Sequence, residues 1–259
     1  MRIGRFFFNL LFPPKCISCL SLCQRDILDP CEAPLCEKCR FEWEKEKTAV
    51  CANCGKELLR CDCSTGRLEK AGIATSLKLV FYQGGRDTVG KRSVLYLKKN
   101  RNRRAFDFFA EQLSFPIKRY MHEKGFSAEK VLFCYVPRSD KSEESYGLDQ
   151  AERLCRALSR RLNSPFAPLF YRSGVGSADQ KTLTAREREK NAQTLFCVNE
   201  RLLPILNEIA CVFLVDDVIT TGASVSACAR LLKNRYSGEI VAVSLARTPL
   251  ARKRMLKRI

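Results

Sequence analysis

The sequence predicts an α/β protein: a parallel sheet covered by helices on both faces, preceded by a small cysteine-rich module. Short and almost wholly apolar runs at 73–82, 131–136, 211–215 and 240–245 read as strands buried on both sides, the pattern of a parallel sheet. Between them lie stretches of helical periodicity, so that strands and helices alternate along the chain. Ten of the fifteen cysteines fall between Cys16 and Cys63. The composition changes near residue 69, which divides the chain into a module at 1–68 and a larger domain at 69–259.

A length of 259 residues suits one sizeable domain with a small companion. Hydrophobic residues at 46% and charged residues at 29% describe a soluble globular chain and exclude a disordered one. The net charge of +18 favours polyanionic partners, nucleic acid or an acidic membrane surface, against the plainer reading of solubility. The apolar run from Phe6 to Phe12 is interrupted by Asn9 and stopped by Pro13 and Pro14. It is too short to span a bilayer and lacks a cleavage site, so no transmembrane segment and no export are expected. A short helix packing on the protein or grazing a membrane surface fits it better. The expected location is cytoplasmic, with a peripheral position at the inner face of the membrane as the variant.

Without export, clustered cysteines point to thiolates on metal. Cys16 and Cys19, Cys36 and Cys39, and Cys51 and Cys54 are paired as Cys-x-x-Cys, and Cys61-x-Cys63 closes the series. Eight thiolates suffice for two tetrahedral four-cysteine zinc sites, structural because a closed thiolate shell leaves no open position. One or two ions are expected. The simplest grouping takes the first four cysteines together and the last four together, and an interleaved cross-brace is the alternative. Redox dithiols and an iron–sulfur cluster are the other chemistries open to the same residues. Cys23 and Cys31 stand outside the pairs as spare thiols. Metal binding would supply the folding energy that so small a segment cannot draw from an apolar core.

Beyond the cysteines, a strand at 73–82 ends in a Gln83-Gly84-Gly85 turn. The run 91–104 then holds seven basic residues and no acid, which reads as one solvated helix face or as a contact for a phosphate backbone. A helix at 105–113 carries Phe106, Phe108 and Phe109 as core residues. The strand at 131–136 is followed by a polar loop, Pro137, Arg138, Ser139, Asp140 and Lys141. A helix at 149–162 and a strand at 168–172 come next, then a charged, glycine-bearing stretch at 173–191 of the kind that closes over a reactive substrate. A strand at 195–198 and a helix at 201–209 lead to the most informative segment. The end of the chain, from Arg247 onward, adds six basic residues and no acid.

That segment runs from Cys211 to Ser224. Five apolar residues form a strand, Asp216 and Asp217 follow, and Thr220, Thr221, Gly222, Ala223 and Ser224 make a small hydroxyl-rich turn before a helix that begins near Val225. Backbone N–H groups of the turn and the positive end of the helix favour a phosphate, and Gly222 permits close approach. Two carboxylates at the strand end can accept hydrogen bonds from the vicinal hydroxyls of a ribose. The plainer reading is a capped helix beside solvated acids.

The segment resembles the phosphoribosyl-pyrophosphate (PRPP) motif of type I phosphoribosyltransferases, with every position filled. Together with the opening from Leu10 to Cys19 and the run Gln180-Lys181-x-Leu183-x-x-x-Glu187-Arg188-x-x-Asn191, it makes nearly the whole chain similar to the ComF family. The resemblance implies a double zinc ribbon followed by a type I phosphoribosyltransferase fold. It implies that Asp216 and Asp217 bind ribose hydroxyls directly or through Mg²⁺, and that Thr220 to Ser224 cradle the 5′-phosphate. Pro137, Arg138 and Lys141 would line a pyrophosphate loop, and Lys181, Arg186 and Arg188 would steady the leaving group. The family's Arg-Gly-Phe-Asn-Gln run stands here as Tyr146 to Gln150, which leaves Lys141 or Arg138 to supply the missing cation. No residue announces itself as nucleophile or general base.

Three roles follow as expectations. The first is PRPP binding in natural competence, with single-stranded DNA and a DNA-uptake helicase or other competence proteins as partners. The second is an active phosphoribosyltransferase acting on a nucleobase or amine with release of pyrophosphate. The third is a helper whose zinc ribbons dock another protein.

Overall fold

The computed structural model describes residues 13–23, 34–82, 85–138, 149–173 and 195–249. Four strands, β1 (Thr75–Phe81), β2 (Val131–Tyr135), β5 (Cys211–Ile219) and β6 (Glu239–Arg247), form one parallel sheet in the order β1-β6-β5-β2. β3 (Phe170–Arg172) and β4 (Phe196–Val198) form a separate antiparallel pair. The α/β class with a parallel sheet is therefore the observed one. The antiparallel pair stands apart because β3 and β4 are only three residues each and bracket the charged stretch between them.

The two central strands are buried throughout their apolar portion because helices cover both faces. On one face Phe133, Phe213, Val215, Val241 and Val243 pack with α3 (Val89–Lys99), α4 (Arg103–Lys124) and α5 (Gln150–Leu162). Phe133 and Phe213 are register neighbours, and their rings stack at 5.1 Å. On the other face Leu132, Val212, Leu214 and Ala242 pack with α6 (Ala223–Lys233) and with Leu68 of α2 (Gly66–Lys70). The alternation of Cβ directions along each strand sorts these side chains into two cores.

The helices begin where small polar residues cap them. Thr88 accepts from the N–H of Lys91 at 3.2 Å, Asn102 from that of Arg104 at 3.1 Å, and Asp149 from that of Glu152 at 3.1 Å. α4 runs 22 residues, well past the expected end at 113, because its apolar stripe continues through Ile117, Tyr120 and Met121 against the sheet. It stops at Gly125, which takes the left-handed conformation at φ 69°. The expected helix at 201–209 is a 3₁₀ helix, Glu200–Glu208, with Pro204 inside it. Proline at that position removes a backbone donor and crowds the preceding turn, which disfavours the α form.

The cysteine-rich segment packs directly on this framework. α1 (Glu37–Lys47) buries Trp43 edge-on against Phe109 of α4 at 5.4 Å, within the same core as the sheet. Glu46 of the same helix accepts from the N–H groups of Val89 and Gly90 at 2.7 and 2.9 Å, satisfying two orphan donors at the start of α3. Truncating Trp43 to Ala should therefore destabilise the whole protein by about 3–5 kcal/mol. A lowered midpoint in denaturant, reported together by helix and sheet signals, would show it, whereas an unchanged midpoint would mean that α1 is not part of the main core.

Candidate functional site

β5 lies between β2 and β6, and the two acids ride on its second half. The strand does not end at Val215 as the sequence reading had it, because β6 continues beside it and pairs Asp216 with Ser244, Val218 with Ala246 and Ile219 with Arg247. Asp217 is 6% exposed, and its Oδ2 accepts from Nη2 of Arg138 at 2.5 Å. Its Oδ1 accepts from the N–H of Val218 at 2.7 Å. Asp216 is half-buried and accepts from the N–H of Asp217 at 2.8 Å. Removal from water, and next the adjacent Asp217, raise the pKa of Asp216 well above the usual carboxylate range. The pair is unequal: one acid is bound to a cation and the other is disposed to hold a proton.

Arg138 reaches Asp217 because the chain after β2 is drawn towards β5. The N–H of Val136 donates to the Val215 carbonyl at 3.0 Å, and the N–H of Arg138 donates to Asp149 Oδ2 at 3.0 Å. Asp149 thus caps α5 with one oxygen and anchors the Arg138 backbone with the other. Burial raises its pKa, opposed by those hydrogen bonds. The sequence marks Asp149 only as a helix start; this second task is set by the fold. Its signal was an Asp just before a helical apolar pattern, set across a loop from Arg138.

The turn after β5 has Thr220 and Thr221 exposed and Gly222 buried. Gly222 has φ 74°, a conformation that favours glycine, and a Cβ there would lie 3.1 Å from Leu68. α6 begins at Ala223, two residues before the expected start. The N–H of Ala223 donates to Thr221 Oγ1 at 3.4 Å. Its first turn is free of acidic residues. The structure therefore brings Pro137, Arg138, Asp216, Asp217 and the turn Thr220, Thr221, Gly222, Ala223 and Ser224 to the same end of the sheet. Lys141, Lys181, Arg186, Arg188 and most of the run 146–150 lie outside the described residues, as do the apolar run 6–12 and Cys31.

The cysteines gather into two groups, Cys16, Cys19, Cys36 and Cys39, and Cys51, Cys54, Cys61 and Cys63. Within each the sulfurs lie within 4.8 Å of one another, so the grouping is the consecutive one and not interleaved. A tetrahedral zinc with Zn–S bonds of about 2.3 Å needs sulfurs about 3.8 Å apart. Cys19 and Cys36 already stand at 3.6 Å. Tight turns shape the Cys16 and Cys51 pairs, where the Leu20 N–H donates to the Cys16 carbonyl and the Gly55 N–H to the Cys51 carbonyl, while Cys36 and Cys39 stand at the start of α1. The four-thiol sets fit zinc. Hydrogen bonding with the Ser21 hydroxyl lowers the Cys19 thiol to about 6, and burial pushes the Cys39 thiol up to about 12. Metal binding to such a set must release protons.

The basic run does not form one helix face. It is split by Asn100, Arg101 and Asn102 between α3 and α4, leaving Lys99, Arg101, Arg103 and Arg104 exposed. Arg92 is drawn away, donating to Ser18 Oγ at 2.8 Å and pairing with Asp87 at 2.8 Å. Arg247, read with the basic tail, is wholly buried and donates to the Cys63 carbonyl. Phe106 and Phe109 are core residues as expected. No helix among the described residues is long and apolar enough to cross a membrane.

With the folded pKa of Asp216 raised, the native state keeps a proton that the unfolded chain gives up near pH 4, so this acid lowers stability as pH rises from there. Asp216→Asn keeps the acceptor for the Asp217 N–H and removes the titration. Its melting temperature should exceed that of the parent at pH 7, and the gain should shrink towards pH 4. A gain independent of pH would refute the origin assigned to it.

No protein-family model matches the chain. It is 30% identical over 113 residues, 44% of its length, to DNA utilization protein YhgH of Escherichia coli K12, covering 48% of that protein. The YhgH protein of Shigella flexneri matches over the same span. Competence protein F of Haemophilus influenzae is 33% identical over 103 residues, 39% of this chain and 43% of the relative. The chain thus spans about half the length of the curated relatives it matches. These similarities support the ComF-like resemblance that the motifs carry.

Proposed function

We propose that this protein binds PRPP with Mg²⁺ at the end of β5 and acts in the handling of single-stranded DNA during uptake or use. The observation that carries the ligand is the set of Asp216 and Asp217 on the central strand, directly before the exposed hydroxyl turn that opens α6, with Arg138 beside them. Ribose hydroxyls are hydrogen-bond donors suited to the acids, and the turn's amides and hydroxyls suit a phosphate. Mg²⁺ takes oxygen ligands and keeps company with substrate phosphates, so Asp216 and Asp217 would hold it. Arg138, now bonded to Asp217, would be one cation for the pyrophosphate. The DNA role is supported by the relatives' names, by the net charge of +18 and by the exposed cations from Lys99 to Arg104. Zinc in both cysteine sets would serve structure. Lys141, Lys181, Arg186 and Arg188 remain part of the proposed ligand set.

The second reading is phosphoribosyl transfer, favoured by the same intact acid pair and turn. In that chemistry the protein positions ribose and acceptor and balances the charge that develops as pyrophosphate leaves. Pyrophosphate release from PRPP with one of a panel of nucleobases and amines would establish it, and binding without release would exclude it for those acceptors.

PRPP with Mg²⁺ should raise the melting temperature by several degrees. Saturation at about a hundredfold the Kd stabilises by about 2.7 kcal/mol. The Asp216→Asn, Asp217→Asn double variant should show no such rise, and an equal rise in both proteins would place the ligand elsewhere. Single-stranded DNA binding should weaken linearly in log–log form with salt, each phosphate contact contributing about 0.7 to the slope. Changing Lys99, Arg101 and Arg104 to Ala together should flatten that slope. Affinity that ignores salt would remove the DNA reading.

A further inference from the structure

We propose that Lys78 and Arg247 are the internal counter-charges of a tetrathiolate zinc centre at Cys51, Cys54, Cys61 and Cys63. The inference rests on zinc filling that cluster, and concerns what this chain has built around it.

Lys78 lies on β1 and Arg247 at the end of the neighbouring β6. Both are 0% exposed, a rare state for either residue in the absence of an anion. Lys78 Nζ donates to Cys61 Sγ at 2.9 Å, to the carbonyls of Cys61 and Ser76 at 2.9 and 3.1 Å, and to that of Cys63 at 3.4 Å. Arg247 Nη1 donates to the Cys63 carbonyl. Its Nε and Nη2 are buried and meet no partner among the described residues. Neither cation meets a carboxylate there. Two buried cations neutralised only by carbonyl dipoles would be costly, because each charge loses its water without gaining an opposite charge.

The cluster beside them resolves this. Four thiolates around Zn²⁺ leave two negative charges, and Lys78 and Arg247 bring two positive ones. The contact from Lys78 to a ligand sulfur is the outer-shell hydrogen bond that orients a metal ligand. The first cluster also has a cation against a thiol, since Arg92 faces Cys39. Arg92, however, keeps contact with solvent and pairs with Asp87 and Glu42, so it carries no uncompensated charge into the interior.

The experiment counts zinc per chain by mass spectrometry and follows its release to a competing chelator. A Cys51→Ser, Cys61→Ser variant identifies which step belongs to the second cluster. In the Lys78→Met, Arg247→Met double variant, that ion should be lost at about 10–100-fold lower chelator concentration, while the first cluster's ion is held as before. The charge-keeping Lys78→Arg, Arg247→Lys pair should recover most of the difference, and Arg92→Met should leave second-cluster release unchanged. If the double variant does not fold, Lys78→Met and Arg247→Met singly should each shift release in the same direction. Second-cluster release equal to the parent's in the double variant, or in both single variants, would overturn the proposal. Absence of zinc from the second cluster of the unaltered protein would overturn instead the zinc reading beneath it.

Discussion

Burial of β5 on both faces is the constraint on which the rest of this structure depends. A strand flanked by β2 and β6 and covered above and below can emerge only at its end, so polar groups placed there are held by a rigid frame. Asp216 and Asp217 stand at that limit. Continued pairing with β6 through Ile219 keeps their backbone within the sheet, while their side chains leave the apolar layer. The same setting explains why the two acids differ. Arg138 meets Asp217 directly, and Asp216, lacking a partner of that kind, is left with the desolvation.

The N-terminal segment is joined to this frame at several points, each by a different interaction. Trp43 and Leu68 enter the two cores of the sheet, and Glu46 supplies a carboxylate to the first turn of α3. Leu68 also closes against Gly222, and the Ser226 hydroxyl donates to the Arg67 carbonyl at 3.3 Å. The turn that begins α6 therefore rests on residues that directly follow the second cysteine cluster. Arg247 adds another tie, since it pairs in register with Ile219, the residue just before that turn. The cysteine-rich segment and the candidate ligand site are physically adjacent, with a glycine required where they touch.

Charge in this protein is sorted by depth. On the surface between α3 and α4, exposed lysines and arginines leave a positive field available to polyanions. In the interior, Lys78 meets the Cys61 sulfur, Arg247 the Cys63 carbonyl, and Arg138 a carboxylate. The total of +18 therefore overstates the cationic surface, because some of these charges are spent on internal partners.

By itself the sequence determined the class of fold, the eight cysteines paired at metal-ligand spacing and the segment from Cys211 to Ser224, because each is written in local spacing. Apolar runs of strand length, Cys-x-x-Cys turns and a glycine between hydroxyl residues need no distant neighbour to be recognised. Where elements ended was less legible. α4 outran its expected end and β5 passed through two acids, since tertiary packing and continued strand pairing offset weak local preference. Only the tertiary structure decided what met what. It set the consecutive grouping of the cysteines, the Arg138–Asp217 pair 79 residues apart, the double duty of Asp149, and the burial of Lys78 and Arg247 beside thiols. The reason is physical: a charge in sequence carries no mark of its depth, and its partner is chosen only when the chain has closed around it.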